Sequence, residues 1–354
     1  MENPYRNLPD YAFWRRGVSN IEPSEFDPVT EVPFTICAED KIATAGSCFA
    51  QHISRTLSAE GFKYFVVETV PQTIGAENEN FGTFSARFGN VYTVRQLLQL
   101  FLRAYGLYVP IDSYWEREDG AVVDPFRPQI QQGGFKTVDL LEEDRAAHLG
   151  AVREMFECCD VFVFTLGLTE AWKSTEDGAV FPTAPGVVGS GHGQYAFENF
   201  SVQSMIDDLS RFLTNLRVLN PQVRVVLTVS PVPLIATYEP RHVLLATTFS
   251  KAALRVVAEI IARKFDNVAY FPSYEIVTGP QARGKYFADD LREVTPAGVA
   301  HVMTVFQRHY LNKNDNRSQS VSPPQIRNTK QVEQDKARIM ADLQIVCDEE
   351  ILDA

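Results

Sequence analysis

The run Gly46-Ser47-Cys48 sets a hydroxyl and a thiol side by side, where a short buried strand over residues 41–45 turns into a helix carrying Phe49, Ile53 and Leu57 on one face. A tight turn of this kind presents its polar side chains at a helix N-terminus, whose partial positive charge favours a developing anion. That suits a nucleophile. The same residues also fit a plain structural purpose, Ser47 as a helix cap and Cys48 as a small buried apolar group. A dinucleotide-binding reading is weak, because Ser, Cys and Phe follow Gly46 where further glycines are needed, and no Walker A pattern occurs. The five cysteines, Cys37, Cys48, Cys158, Cys159 and Cys347, are odd in number and form no CxxC. Free thiols are expected, with no disulfide framework, no metal site and no cofactor.

The elements that must position this turn alternate along the chain. Strands are predicted over residues 41–45, 64–67, 160–166, 223–229 and 268–271. Helices are predicted over 49–57, from Thr93 as cap to Phe101, around 149–156, from Ser201 as cap to Leu216, over about 250–264, and from Thr295 as cap with Pro296 in its first turn. This alternation is the pattern of a sheet covered by helices on both faces. Open sheets of that kind bind ligands at the carboxyl ends of their strands, so the loops after Ala45, Leu166, Val229 and Phe271 should converge on one crevice. Residues 181–200 hold Gly186, Gly189, Gly191 and Gly193 with Tyr195, Phe197 and Phe200, too long and Gly-rich for a simple connection. They suit either a lid, with His192 and Asn199 adding polar contacts, or a loop anchored by its aromatics.

The 354 residues, 45% of them hydrophobic, can bury one large domain with appendages. A net charge of −12 and a pI near 5.1 argue against a phosphate-tracking surface, so no nucleic-acid partner is expected. The first residues form no apolar signal core, and no stretch approaches the roughly 18 apolar residues a membrane span needs. No membrane partner is expected, and a cytoplasmic location is. Beyond Leu311 the composition turns to Asn, Ser, Gln and Pro. Residues 312–331 read as a linker and 332–354 as a charged helical tail with Ile339, Leu343 and Val346 at helical spacing.

The segment Ala45-Gly46-Ser47-Cys48-Phe49-Ala50 resembles the eponymous motif of the GSCFA domain family, an offshoot of the SGNH/GDSL hydrolase superfamily. The resemblance spans about residues 1–311 and extends to Arg87-Phe88-Gly89-Asn90-Val91-Tyr92, to Thr165-Leu166-Gly167-Leu168-Thr169-Glu170-Ala171-Trp172, and to Ser230-Pro231-Val232-Pro233-Leu234 followed by Ser250-Lys251. It implies a flavodoxin-like three-layer α/β/α sandwich with a parallel sheet, residues 41–311 as the main domain and residues 1–40 as a leader packed on it. It also implies an esterase or O-acyltransferase working through an acyl-enzyme, with a small-molecule or glycan substrate. The catalytically silent alternatives are a carbohydrate-binding scaffold and an interaction protein that docks through its tail. Oligomeric state is not legible.

Laid on the superfamily's Gly-Asp-Ser turn without a gap, Ser47 falls on the Asp position and Cys48 on the nucleophile position. Cys48 is preferred and Ser47 retained, since a thiolate at a helix start needs less help than a serine. Gly89 resembles the oxyanion-hole glycine, with Asn90 beside it either polar help or a turn residue. In the third block Gly167 is followed by Leu168, Thr169 and Glu170. The usual asparagine is therefore missing, and Thr169, which could instead cap a helix beginning at Glu170, or Glu170 itself would have to substitute. The last block departs furthest: Asp290-Leu291-Arg292-Glu293 has glutamate where the superfamily has the histidine base. His242, in the loop after Leu234, ranks first as a replacement, because an imidazole of pKa about 6.5 suits proton transfer. Glu293, His301 or no base at all are the other readings. His52, His148 and His309 are expected to be structural.

Overall fold

The computed structural model describes residues 3–69 and 80–312, together with Leu352. In chain order its first elements are β1 (Ile36–Cys37), β2 (Ile42–Gly46), α1 (Ala50–Ala59), α2 (Val94–Ala104), β3 (Trp115–Glu116), β4 (Val122–Val123), α3 (Val138–Cys158) and β5 (Val161–Leu166). There follow β6 (Glu170–Ser174), β7 (Val180–Phe181), β8 (Tyr195–Asn199), α4 (Val202–Leu219), β9 (Arg224–Val229), α5 (Val243–Lys264), β10 (Val268–Phe271), α6 (Ser273–Thr278), α7 (Pro296–Tyr310) and β11 (Leu311–Asn312). No helix among the described residues is long and apolar enough to cross a membrane.

The central sheet is parallel, in the order β10-β9-β5-β2. Its strands are apolar on both sides, and alternate residues feed opposite layers. On β5, Phe162, Phe164 and Leu166 pack with α2, α3, α4 and α5, whereas Val161 and Val163 pack with α1, α6 and α7. The result is a three-layer α/β/α sandwich. Residues 64–67, predicted as a strand, supply only a bridge from Tyr64 to Ile42, because the chain then leaves to donate from the Val67 amide to the Ser85 carbonyl. With that bridge counted, the strand order is 2-1-3-4-5 in chain sequence, which puts the topological switch point between β2 and β5.

Local signals account for most boundaries. Thr93 and Gln96 form a reciprocal capping box at α2, while Thr137, Ser201 and Thr295 cap α3, α4 and α7 through their hydroxyls. Two elements differ from expectation. Helix α5 starts at Val243 rather than near 250, since the run 243–249 is apolar without a polar face and shows no periodicity to read. No helix begins at Glu170, which opens β6 of an antiparallel sheet ordered β7-β6-β8. The Gly-rich stretch before β8 packs closely at two of its glycines: a Cβ at Gly191 would meet the Trp115 ring at 2.8 Å, and one at Gly189 would come within 3.0 Å of the Glu116 carbonyl, whereas Gly186 has open space around it. Residues 23–40 run along the domain, with β1 paired to β11, Asp27 bonded to Arg308 (2.7 Å) and His309 (2.8 Å), and Tyr286 donating to the Pro23 carbonyl. Asn312 thus sits in a strand pair; the linker beyond it and the tail helix over 332–354 lie outside the described residues, save Leu352.

A buried ionic network braces the segment between Ser85 and Tyr92. Arg87 donates to Asp144 (2.8 Å), Arg127 to Asp144 (2.7 Å) and Asp124 (3.0 Å), and Arg145 to Asp124 (3.3 Å). Arg127 also donates to the Arg87 carbonyl, and the Arg87 amide to Glu68. Burial alone would raise the Asp124 carboxyl, but Arg127, Arg145 and Arg103 hold it well below the ordinary range. His148, fully buried, lies 2.8 Å from Glu68 through Nδ1. Burial first, and the Arg127 charge second, push its pKa down to about 4 against the pull of Glu68. The folded state therefore refuses a proton that the unfolded chain accepts near pH 6.5, so stability is lost as pH falls from about 6.5 toward 4. Urea denaturation of wild type and His148→Gln across this window should show the wild type losing up to about 3 kcal/mol more than the variant.

Candidate active site

Gly46 ends β2 with φ of +139°, and a Cβ on it would overlap the Thr165 backbone, 2.7 Å from its nitrogen. Only glycine lets the strand end press onto β5 in this way. The Ser47 amide continues the pairing to the Thr165 carbonyl (3.2 Å), and the Gly46 carbonyl accepts from the Val91 amide (2.8 Å). Carbonyls of Ser47, Cys48 and Phe49 then accept from Ala50, Gln51 and His52, winding the chain into α1. Ser47 and Cys48 are both buried, and Ser47 Oγ has no hydrogen-bond partner among the described residues.

These two residues line a small cleft of about 220 Å³ with Tyr92, Gly167, Leu168, Ser230, Val232, Pro233, Leu234 and Lys251. The cleft lies where the strand order predicts, at the carboxyl ends of β2, β5 and β9. The loop after Phe271 does not line it. Gly167 passes close to Ser47: a Cβ there would come within 3.1 Å of the Ser47 Cβ and of the Tyr92 carbonyl. That carbonyl accepts from the Gly167 (3.0 Å) and Leu168 (3.2 Å) amides, and the Thr169 amide donates to Ser250 Oγ (3.1 Å). All three amides of this block are thus engaged within the protein.

Lys251, only 2% exposed, donates through Nζ to the Gly167 carbonyl at 2.6 Å. Among the described residues no histidine, aspartate or glutamate lines the cleft, and Lys251 contributes its basic side chain. Sequence reasoning noticed Ser250-Lys251 without giving either a role. The available signal is its helical spacing with Leu254, Ala258 and Ile261, which puts a lysine on the buried face of α5.

A family model described as the GSCFA family matches residues 41–306, more than half of the chain. The chain belongs to the GSCFA family. Comparison with curated proteins finds no match.

Of the site residues expected in this GSCFA protein, Ser47, Cys48 and Gly167 meet in one cleft. Thr169 is buried two positions beyond Gly167, with its Oγ1 unpartnered among the described residues. Glu170 accepts from the Thr237 hydroxyl at 2.8 and 2.9 Å, tying the loop after β9 to β6, and burial raises its pKa. Gly89 and Asn90 line a neighbouring cavity with Arg127 and Gln129, and Asn90 Oδ1 accepts from Gln51 at 3.4 Å. His242 is exposed and caps α5, its Nδ1 accepting from the Leu244 amide (3.1 Å). Asp290 and Glu293 lie in an exposed turn, where Asp290 Oδ1 accepts from the Arg292 and Glu293 amides. His192 is also exposed, and His301 is paired with the Tyr286 hydroxyl (2.8 Å). No group of three or more metal-ligating side chains occurs among the described residues.

The Gly46 contact makes a direct prediction. Gly46→Ala should cost more than about 3 kcal/mol in urea denaturation, because it adds backbone strain to a collision with main chain. Gly61→Ala, also at positive φ (79°) but with open space around it, should cost roughly 1–2 kcal/mol.

Proposed function

We propose that this GSCFA protein is an SGNH-type esterase or O-acyltransferase that works through an acyl-enzyme on Cys48, with a sugar or polysaccharide precursor as substrate. The observation that carries this is the pairing, in one cleft at the switch point of the sheet, of the Ser47-Cys48 turn with the buried ammonium of Lys251. A cation confined beside the helix start stabilises negative charge, which a thiolate nucleophile and a tetrahedral oxyanion both require. Such a site has less need of an imidazole base than a serine site does, which accommodates the glutamate at position 293 and the exposed placement of His242.

In this scheme the Cys48 thiolate attacks an ester carbonyl carbon, and the oxyanion forms beside Lys251. Collapse breaks the ester C–O bond and leaves a thioester on Cys48, and the departing alkoxide takes the proton that the Cys48 thiol gave up on forming the thiolate. Water or a sugar hydroxyl then takes the acyl group. A glycan substrate is supported by the aromatic cluster on the paired strands β6 and β8 and the loop after β9. There Tyr238, 68% exposed, packs against Trp172 (centroids 4.8 Å apart) and Phe197 (5.5 Å), a surface on which a pyranose ring can stack.

Peptide mass spectrometry after brief exposure to an activated acetyl ester tests the scheme. Wild type and Ser47→Ala should carry the label on Cys48, Cys48→Ala should carry none, and Lys251→Met should label at least about tenfold more slowly. Label on Ser47 would transfer the nucleophile's role to the hydroxyl. A folded protein labelled at neither residue would leave the cleft as a binding site without catalysis.

A further inference from the structure

The segment Phe88-Gly89-Asn90-Val91 also borders a second, narrow cavity, lined by Arg103, Arg127, His148 and Gln99 among others. Its charges do not balance. The buried network holds four guanidinium groups, Arg87, Arg103, Arg127 and Arg145, against three carboxylates, Glu68, Asp124 and Asp144, so 4 − 3 leaves one positive charge among the described residues. His148 adds none near neutral pH, with its pKa at about 4.

The cation left over is Arg103. Asp124 is taken by the Phe126 amide, Arg127 and Arg145; Asp144 by Arg87 and Arg127; and Glu68 by the Arg87 amide and His148. The amide oxygens facing the cavity are engaged as well, Gln99 Oε1 by the Val180 amide and Gln96 Oε1 by Thr93. Arg103 is 7% exposed, lies over the Phe126 ring (3.7 Å to the centroid), and its Nη2 has no hydrogen-bond partner among the described residues. Burial, reinforced by the charges of Arg145 and Arg127 against the pull of Asp124, brings its pKa down to about 10. A buried cation that feels a carboxylate only at a distance, with no carboxylate bonded to it among the described residues, is among the costlier features a fold can carry.

We infer that this cavity is an anion site, which binds one compact monoanion, a chloride ion or a carboxylate group, on Arg103 Nη2 with Arg127 as the second charge. A monoanion restores neutrality, and the narrowness of the cavity selects a small one. The site would brace the region around the turn, because Arg127 holds the Arg87 carbonyl and the Val91 amide holds the Gly46 carbonyl. It stands independently of any acyl chemistry in the first cleft.

Thermal unfolding of the full chain in sodium chloride, acetate and gluconate at equal ionic strength tests this. Chloride, acetate or both should raise Tm by roughly 5 °C over bulky gluconate, and which of them acts separates a halide site from a carboxylate site. Arg103→Met should lose the dependence and, in gluconate, be no less stable than wild type. Equal Tm values in all three salts, or an undiminished anion effect in Arg103→Met, would overturn the proposal. Crystals grown in bromide provide a check that does not depend on a variant folding. An anomalous peak in contact with Arg103 Nη2 supports the site, and a water molecule there without anomalous signal refutes it.

Discussion

The approach of Gly46 to the Thr165 backbone fixes how β2 ends, and with it where Ser47 and Cys48 stand. Because no side chain intervenes, the strand end stays in register with β5 through the Ser47 amide, and the chain can turn at once into α1. A second close approach, between Gly167 and Ser47, closes the cleft from the β5 side. Lys251 is then bonded to the Gly167 carbonyl, so the cation's position depends on the same two contacts. A methyl group at position 46 would displace the nucleophile candidates, the wall opposite them and the cation together.

Support for this arrangement comes from two different kinds of packing. The apolar alternation along β5 and β9 anchors the sheet between its helix layers, a non-directional force that sets the fold without specifying a site. The ionic network is directional. Arg87 and Arg127 clamp the segment before Tyr92 through main-chain and side-chain bonds, and Tyr92 in turn holds the Gly167 and Leu168 amides. Replacing such charges with apolar groups often leaves stability unchanged, so their value here is better sought in where they hold Phe88 to Tyr92.

The fold was largely legible because its signals are local. Capping hydroxyls at Thr93, Ser201 and Thr295 and the apolar runs of β5 and β9 announce themselves in a few residues. The strand expected over 64–67 reduced to one bridge because pairing depends on where the chain goes next, toward Ser85, which no local pattern records. Helix α5 was read short because residues 243–249 lack a polar face, and His242, its actual cap, was therefore weighed as a loop histidine. At the site, the Gly46-Ser47-Cys48 turn and Gly167 could be found from strand ends alone. Lys251 could not: lysine is ordinarily a surface residue, and its burial follows from the packing of α5 over the carboxyl ends of β5 and β9.

Acidity of the chain as a whole gives no guide to the charge its interior prefers. The net charge of −12 resides on many carboxylates in contact with solvent, and such charges are screened over about 8 Å at physiological salt. Inside the two cavities the nearest charges decide, and these are Lys251 in one and Arg103 with Arg127 in the other. Lys251 is bonded to a main-chain carbonyl and Arg103 lies against the Phe126 ring, both buried, where a cation acts with a lower effective dielectric than at the surface. An acidic protein thus carries basic side chains at both cavities, where water and salt reach them poorly.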